Sequence, residues 1–378
     1  MVSFTLPSFS IQRDLPSGRH VLKTLHMLPL TVKLALGILG TLYSVVIFAP
    51  WTAPYTEHQA WDTMANLPPT PFYWQAPSPK DLAPHAQAIQ APYILSMTQR
   101  SIPEAYWSGY TPVIPFKPVS VCLGCSTPTG WKLLGISPQS TFRKDLSHGV
   151  HLLGLDANGR DRLSRLIWGG RISLFIGFFS LLIAFPIGLL WGGIAAMTGG
   201  KTDLLMMRIA EVLMSIPGLY LLMCLSSLLP NDLTGATRFI LVSMILSFIG
   251  WAPLSRVVRG LVLSVKKREF IDVAHTLGAS PWRILRCHLL PQTWGYCLVS
   301  VMLAIPGSML AESGLSFLGL GIQEPDASWG NMLRECQRIE TLTTQPWTLA
   351  PGILLCLSIL AFNWLGEYLR QKTQTPEG

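Results

Sequence analysis

Three stretches of this chain contain no charged residue over a length that could cross a membrane. They are Ile172–Gly200 with 29 residues, Leu289–Ala311 with 23 and Thr341–Gly366 with 26. A helix needs about 20 apolar residues to cross the hydrocarbon core of a bilayer. Because backbone in lipid satisfies its hydrogen bonds only as a helix or a closed barrel, these runs predict an all-α membrane protein.

Three further runs extend the prediction to six membrane-spanning helices. Val212–Asn231 and Phe239–Ser255 are also free of charge, although a proline within each predicts a break. The first run, Leu28–Ala49, holds only Lys33, whose long side chain can reach the lipid headgroups. A cleaved signal peptide is the alternative for this run. An uncleaved anchor is favoured, because the run is long for a signal sequence and bulky residues follow it.

The distribution of basic residues predicts which side of the membrane each loop faces. With an even number of spans both chain ends lie on one side, and segments on that side carry lysine and arginine about twice as densely as the others. We therefore expect both termini in the cytoplasm, and we interpret the net charge of +8 as a topology signal that does not indicate nucleic acid. The expected order is a cytoplasmic segment 1–27, a first span 28–50, an extracytoplasmic insertion 51–150, a transmembrane region 151–370 with a cytoplasmic loop 264–290, and a cytoplasmic tail 371–378.

The insertion differs in composition from the rest of the chain. Residues 50–150 hold 15 of the 29 prolines and several tryptophans, which indicates a proline-stiffened loop or a small outer domain. Within it, Cys122 and Cys125 form a single CxxC in a context that suggests a turn. A structural disulfide is the favoured interpretation and two unpaired thiols the next. A metal or redox role comes last, because a zinc site needs a second ligand pair.

A polar segment before the second span carries signals for a turn and a helix start. Asp156 and Gly159 suit a tight turn, and Asp161 can cap the helix that follows. Four arginines crowd this end of the span, namely Arg160, Arg162, Arg165 and Arg171. We expect them to contact lipid phosphates from an interfacial helix. A wall of an outer vestibule, or a contact for a delivery protein, is the alternative.

Between the fourth and fifth spans lies a loop with an amphipathic helical pattern. Four apolar residues recur at i, i+3, i+4 and i+7 and form one face, namely Phe270, Val273, Ala274 and Leu277. Gly278 predicts the end of this helix, and Pro291 predicts the start of the next span. A small apolar helix in a cytoplasmic loop predicts a soluble partner that binds it.

No pattern in the sequence indicates an enzyme. The chain contains no P-loop, so it is not itself expected to hydrolyse a nucleotide. The eight histidines show no HExxH or related spacing, and we predict neither a catalytic residue, a bound metal nor a cofactor. A solitary secondary transporter would need ionisable residues in mid-span, which the uncharged runs lack. A membrane-anchored binding or scaffold protein is the remaining alternative.

Four ordered motifs resemble those of the permease subunits of dipeptide, oligopeptide and nickel ABC importers. The segment HLLGLDANGRDRLSRLIWGGRISL is similar to the family's GTDxxGRDxxSRxxxGxRxSL pattern. The loop EFIDVAHTLGASPWRILRCHLLP resembles the EAA motif, with Asp272, Val273 and Ala274 in place of Glu-Ala-Ala. ESGLSFLGLGIQEPDASWGNML and LAFNWLGEYLR resemble two further stretches. The resemblance covers about residues 151–370, and its pattern is that of the second, C-type permease of the pair.

The resemblance implies a fold, partners and site residues. In a type I importer a six-helix permease pairs with a B-type permease, and two cytoplasmic ABC ATPases bind ATP while an extracytoplasmic substrate-binding protein delivers cargo. The coupling helix would then dock on one ATPase through Glu269, Asp272, Ala274, Gly278, Ile284 and Pro291. The outer gate would include Asp156, Gly159, Arg160 and Asp161. Peptide, nickel and antimicrobial-peptide importers share these motifs, and we expect an oligopeptide or dipeptide permease of a bacterial inner membrane.

Overall fold

The computed structural model describes residues 28–61, 66, 69, 121–127, 130–136, 151–230 and 232–374. Five helical stretches in this part are long and apolar enough to cross a membrane, which confirms the prediction of an all-α membrane protein. The α-helices in chain order are α1 (Leu30–Ile47), α2 (Ala49–Thr52), α3 (Arg162–Thr198), α4 (Gly200–Ser215), α5 (Gly218–Ser227), α6 (Gly235–Lys266), α7 (Glu269–Thr276), α8 (Pro281–Ile284), α9 (Leu290–Phe317), α10 (Trp329–Leu333), α11 (Ile339–Thr344) and α12 (Ala350–Gln374). A π turn (Leu285–Leu289) joins α8 to α9, and 3₁₀ turns (Arg334–Gln337 and Pro346–Leu349) flank α11.

The third predicted span is bent rather than straight. α4 and α5 meet at Pro217 with a bend of 82°, so the run Val212–Asn231 is not one helix. Proline lacks an amide donor and disfavours helical backbone in the residue before it. By length and composition the described residues contain five spans, or up to six if the bent pair is one crossing. The break expected at Pro253 is wrong, because this proline lies within a continuous α6 that packs along α3.

The described part of the insertion includes an antiparallel hairpin of β1 (Val121–Thr127) and β2 (Gly130–Ile136). Cys122 and Cys125 lie on β1, so the turn expected at this point is wrong. Cα atoms three residues apart on a strand are about 10 Å from each other, beyond the roughly 7 Å that a disulfide spans. The sulfur atoms lie outside the described part of the chain, and their pairing stays a prediction that the extended backbone disfavours.

Expectations about several other segments concern residues that the structure does not describe. These segments are 1–27, most of 51–150, and 375–378. The predicted cytoplasmic N-terminal segment, the predicted outer domain and the end of the predicted cytoplasmic tail therefore stay predictions.

The core of the bundle is the close packing of α3 on α6. A Cβ atom added at Gly192 would lie 2.2 Å from the carbonyl oxygen of Ser255, so the two backbones touch there. One turn earlier, Gly188 leaves room for the side chain of Leu254 on α6. Ser247 Oγ donates to the carbonyl of Ser180 at 2.8 Å and adds a hydrogen bond across the contact. Small residues at helix contacts let backbones approach closely in lipid, where the hydrophobic effect does not drive helices together.

The remaining long helices pack against α3 and against one another. α9 lies against α3 and α12, and α1 lies along α12 and α3. Gly177 of α3 leaves room for Ile305 of α9. The hydroxyl of Tyr43 on α1 donates to the carbonyl of Leu174 at 2.9 Å, and its ring meets phenylalanines of α3 and α12 edge to face. α1 is thereby attached to the bundle by a polar as well as an apolar contact.

Substitution of Gly192 tests the α3–α6 contact. Gly192→Ala is expected to lower the free energy of unfolding by about 1–3 kcal/mol, because the new methyl group meets backbone that cannot move aside. Gly260→Ala on α6 is the matched control, since nothing lies within 4 Å of its Cβ position. That variant is expected to be neutral or stabilised by about 0.5–1 kcal/mol. Thermal unfolding in detergent micelles measures both, and equal melting temperatures would contradict the close contact.

Candidate functional site

The loop of residues 267–280 between α6 and α8, here named the connecting loop, presents an apolar face outward. On its helix α7 and in the residue that follows it, the side chains of Val273 and Leu277 are 55% and 81% exposed, and that of Phe270 is 39% exposed. Ile271 is 1% exposed and packs in a cluster with α6, α8 and the π turn. Ala274, which the helical period assigns to the outward face, is half-buried against this cluster. The predicted amphipathic helix is confirmed, and one side of it is held while the other is open.

The end of α7 matches the expected glycine stop. Gly278 has φ +79°, a left-handed conformation that glycine adopts without the steric cost of a side chain. The amide of Leu277 donates to Val273 O at 3.0 Å, and that of Ala279 donates to Ala274 O at 3.1 Å. These bonds satisfy carbonyls that the end of a helix would otherwise leave unpaired. The local role of Gly278 is confirmed, and its part in docking stays a prediction.

Two of the predicted docking residues are exposed and one is not. Glu269 and Asp272 lie exposed in the first turn of α7, where the helix dipole favours negative charge. Ile284 is fully buried in a cluster with Ile271, and its part in ATPase coupling stays a prediction. It supports the connecting loop from within the protein.

The helical stretch that contains the next predicted span begins ten residues before Pro291. Pro281 opens α8, and the hydroxyl of Ser280 accepts a hydrogen bond from the amide of Arg283 at 3.4 Å. The helix continues through the π turn, and Pro291 lies exposed in the first turn of α9. Pro291 therefore opens the helix of the apolar run as predicted, although the continuous helical stretch starts earlier, at Pro281. A widened turn ahead of Pro291 fits a residue whose ring clashes with the preceding turn of a regular helix.

At the far end of α3, residues 151–161, here named the turn segment, fold as the sequence predicts. Asp156 Oδ1 accepts from the amides of Asn158 at 2.9 Å and Arg160 at 2.8 Å. Gly159 has φ +72°, and a Cβ atom there would lie 2.3 Å from the carbonyl oxygen of Trp61. Glycine is thus required at this position both by its backbone angle and by a neighbouring backbone.

Asp161 begins α3 as an N-cap, as predicted. Its Oδ2 accepts from the amide of Ser164 at 2.7 Å, which satisfies one of the free amides at the helix start. Its Oδ1 lies 2.9 Å from Nδ1 of the buried His151. One carboxylate therefore fixes both the helix start and the point where the insertion returns to the bundle.

The buried arginines of this region form an ionic network with the buried Asp156 and with residues 318–337, here named the cap, whose Glu324 is exposed. Arg160 pairs with Asp156 at 2.9 Å and with Glu324. Arg165 pairs with Glu324 at 3.0 Å and lies 3.5 Å from Asp156. Both guanidinium groups also donate to the carbonyl of Pro325. Two carboxylates and two arginines thus join the turn segment and α3 to the cap.

The other two arginines also bind within the protein. Arg162 pairs with Glu335 of the cap at 2.6 Å. Burial raises the pKa of the Glu335 carboxyl, and the positive charge of Arg162 opposes part of that rise. Arg171 donates to the last carbonyls of α1, those of Val46 and Ile47, at 3.0 Å each. The expectation that these arginines contact lipid phosphates is wrong for the buried Arg160, Arg162 and Arg165, which form an internal wall instead.

Three aromatic residues tie both ends of the insertion to the turn segment. The ring of His151 lies 4.7 Å from that of Trp61 and 5.3 Å from that of Tyr55. The amide of Tyr55 donates to Ser164 Oγ at 3.0 Å, and its carbonyl accepts from Trp168 Nε1 at 3.2 Å. The insertion therefore leaves and rejoins the bundle at one point. Sequence analysis missed this contact between the two ends of the insertion, although the aromatic residues at both ends could have indicated it.

Sequence analysis also missed Glu312 on α9. This carboxyl is fully buried and accepts hydrogen bonds from serine hydroxyls. It follows directly on an uncharged run of 23 residues, and three serines lie within 16 residues after it. An acid placed between an uncharged run and a serine-rich stretch is a signal for a buried polar cluster.

One group in the described part of the chain has the geometry to hold a metal ion. Ligand atoms of Glu57, His58 and Asp326 lie within 4.8 Å of one another. Arg165 and Arg238 act electrostatically on Glu57 and Asp326, and their positive charges oppose a bound cation. These residues therefore fit an ionic contact between residues 57–58 and the cap better than a metal centre.

A cavity of about 320 Å³ lies among α3, α5, α6 and α9. Its polar lining consists of the serines at 180, 300 and 308, and the other lining residues are apolar or glycine. Gly250 and Pro253 of α6 and Ala304 and Gly307 of α9 are among its lining residues. The cavity therefore offers neither a charged group nor a histidine or cysteine to a molecule inside it.

The bundle, the open connecting loop and the closed cap define a multi-pass membrane permease subunit. The family profile described as "Binding-protein-dependent transport system inner membrane component" matches residues 184–375. The chain belongs to this family, and the family predicted from its motifs is confirmed.

Curated relatives align with well over half of the chain. The oligopeptide transport system permease protein OppC of Haemophilus influenzae is 38% identical over 243 residues, which are 64% of this chain and 73% of the relative. The dipeptide transport system permease protein DppC of Bacillus subtilis is 39% identical over 243 residues, 62% of this chain and 73% of the relative. OppC of Escherichia coli is 35% identical over 243 residues, 64% of this chain and 76% of the relative.

Removal of one acid tests the buried ionic network. Asp156→Ala is expected to lower the free energy of unfolding by about 3–5 kcal/mol, because it leaves buried positive charge less compensated. Glu211→Ala is the matched control, since this acid pairs with the exposed Arg208 at 2.9 Å and such pairs contribute about 1 kcal/mol or less. Unfolding in mixed micelles measures both variants. Equal losses of stability would contradict the burial of the network.

Proposed function

We propose that this chain is one of two permease subunits of an ATP-driven importer of oligopeptides or dipeptides in a bacterial inner membrane. It forms half of the pore, and a B-type permease forms the other half. Two cytoplasmic ABC ATPases hydrolyse ATP, and an extracytoplasmic binding protein delivers the cargo. The chain itself then binds no ATP or other cofactor and catalyses no reaction. Its family and the printed names of its oligopeptide and dipeptide permease relatives support this class.

The observation that carries the proposal is the open apolar face of α7. Val273 and Leu277 are more than half exposed at the tip of a loop, and burial of such a side chain contributes about 1.5–3 kcal/mol. The exposed acids Glu269 and Asp272 flank this face and can set the register of a partner. A shallow apolar cleft with basic residues at its rim is the complementary surface. We assign that cleft to one ATPase.

Motion of the connecting loop has a direct mechanical path into the bundle. Two residues separate α6 from α7, and the buried Ile271 holds α7 against the ends of α6 and α8. Lys266 at the end of α6 donates to the carbonyls of Ala196 and Met197 on α3 at 3.2 and 3.0 Å. A displacement of α7 by the ATPase would therefore move α3 and α6 together.

The path leads to the turn segment and the cap, which we assign to the outer gate. α3 has 37 residues and is about 55 Å long at 1.5 Å per residue. Asp156, Gly159, Arg160 and Asp161 form the turn at its far end. A rocking motion of α3 with α6 would open and close the cavity between them and α9, and so give cargo access from alternate sides.

The cavity favours peptides over a bare metal ion as cargo. Nickel prefers imidazole and other nitrogen, oxygen or sulfur donors, and none of the cavity's lining residues is a histidine, cysteine or acid. An apolar wall with scattered serine hydroxyls suits peptides of varied side chains. Selectivity among peptides then belongs to the binding protein and the second permease.

Two substitutions on α7 test the docking assignment. Val273→Ser with Leu277→Ser is expected to abolish pull-down of the ATPase and ATP-dependent peptide uptake, while the level of the chain in the membrane stays unchanged. The side chains are exposed in this chain, so their loss removes partner contacts and not core packing. Co-purification and uptake into vesicles measure the two effects.

The control for this test is an exposed apolar residue elsewhere. Ile339→Ser changes a side chain that is 79% exposed on α11, and this variant should retain both pull-down and uptake. Normal ATPase binding by the doubly substituted chain would contradict the assignment of this face as the ATPase docking site. Failure of the control as well would indicate a general effect of losing exposed apolar area.

Two native cysteines test the membrane orientation. Cys287 lies exposed in the π turn beside the connecting loop, and Cys336 lies half-buried in the cap. In a chain whose other five cysteines are replaced by serine, a membrane-impermeant maleimide should label Cys336 in right-side-out vesicles and Cys287 in inverted ones. The reverse pattern would place the connecting loop outside and contradict the cytoplasmic termini.

A further inference from the structure

Glu312 is a fully buried carboxyl group and the one charged residue of α9. Hydroxyl groups surround it. Ser316 Oγ donates to its Oε1 at 2.7 Å, and Ser173 and Ser313 donate to its Oε2 at 3.2 and 3.3 Å. The hydroxyl of Ser328 also bonds to it. The carboxyl thus collects hydroxyls from α3, from α9 and from the residue that caps α10.

The direction of these hydrogen bonds follows from what else the serines do. Three of the hydroxyls already accept a backbone amide, so the single proton of each is free to point at Glu312. The three amides and their acceptors are Trp329 to Ser173 at 3.0 Å, Ile322 to Ser316 at 2.9 Å and Asn331 to Ser328 at 3.2 Å. Both carboxyl oxygens therefore accept hydrogen bonds from serine hydroxyls.

All three amides belong to the cap, and the residues around them are closely packed. Trp329 is fully buried, and its Nε1 donates to the carbonyl of Leu166 at 2.9 Å. A Cβ atom added at Gly330 would lie 2.5 Å from the carbonyl oxygen of Ser313. The cap therefore sits on α3 and α9 through backbone contacts whose hydrogen bonds converge on one side chain.

We infer that Glu312 is a positioning residue for the cap. As the common hydrogen-bond acceptor it orients the serine hydroxyls, and three of these in turn hold the cap amides against α3 and α9. A buried carboxylate is costly unless several donors satisfy it, and here the donors also hold the structure together. That the cap is part of an outer gate rests on the proposed function, whereas the seating of the cap does not.

Hydrogen exchange of the full-length chain in lipid nanodiscs tests this inference. Glu312→Gln keeps the size of the side chain but turns an amide donor toward hydroxyl donors. Amides of residues 318–333 are expected to exchange roughly tenfold faster or more, while α6 and α12 are unchanged. Glu312→Asp retains the carboxylate on a shorter stem and should lose less protection than Glu312→Gln. The opposite order, with Gln better than Asp, would mean that Glu312 only fills space, and would overturn the inference.

Two more variants complete the experiment. Glu340→Gln removes an exposed acid outside this cluster and should leave exchange of the cap unchanged. Ser173→Ala removes one hydroxyl and should raise exchange of the cap by a smaller factor, with little further effect when combined with Glu312→Gln. If Glu312→Gln unfolds the whole chain, the hydrogen exchange of Ser173→Ala becomes the test of the inference. Faster exchange confined to the cap supports the inference, and unchanged exchange overturns it.

Discussion

The contact between α3 and α6 is the constraint on which the other features depend. At Gly192 of α3 the α6 backbone occupies the space that a side chain would need. At the end of the contact next to the connecting loop, Lys266 of α6 donates hydrogen bonds to two carbonyl groups of α3. Because the hydrophobic effect does not drive helices together in lipid, close packing of the two backbones is what holds them. α3 carries the turn segment at one end, and α6 leads into the connecting loop at the other. The two ends are therefore parts of one rigid pair.

The cap end shows how charge is kept inside such a bundle. Arg160 and Arg165 share Asp156 and Glu324, and Glu312 is satisfied by hydroxyls instead of a cation. Breaking one partner of a buried pair costs far more than breaking an exposed one, because the remaining charge stays in a medium of low dielectric. The polar groups at this end thus specify one seating of the cap.

Sequence alone could predict the features that depend on a few neighbouring residues. The cap at Asp161, the turn at Gly159 and the helix end at Gly278 follow from local backbone chemistry, and the apolar runs follow from the membrane. Ion pairs between residues far apart in the sequence could not be predicted. Arg160 and Glu324, for example, are more than 150 residues apart along the chain. Side-chain burial at Ile284 depends on the same kind of distant packing.

The two prolines of the predicted breaks show where local rules stop. Pro217 separates two helices at 82°, whereas Pro253 lies within a continuous α6. Both lack an amide donor, so their chemistry is the same. The difference lies in the surroundings, because α6 packs along α3 and α5 has fewer helices beside it. A proline therefore indicates where a span can break, and the packing decides whether it does.

The two ends of the α3–α6 pair differ in whether they expose apolar side chains, and this difference indicates where a partner would bind. At the cap end, acids, arginines, serines and backbone amides bond to one another. At the connecting loop, Ile271 and Ile284 anchor the inner side while Val273 and Leu277 remain exposed. Exposed apolar residues on a short, anchored helix are a cost to a lone chain and a benefit only to a complex. Under the proposed function, the driving partner is therefore expected at the connecting loop and the arriving cargo at the cap end.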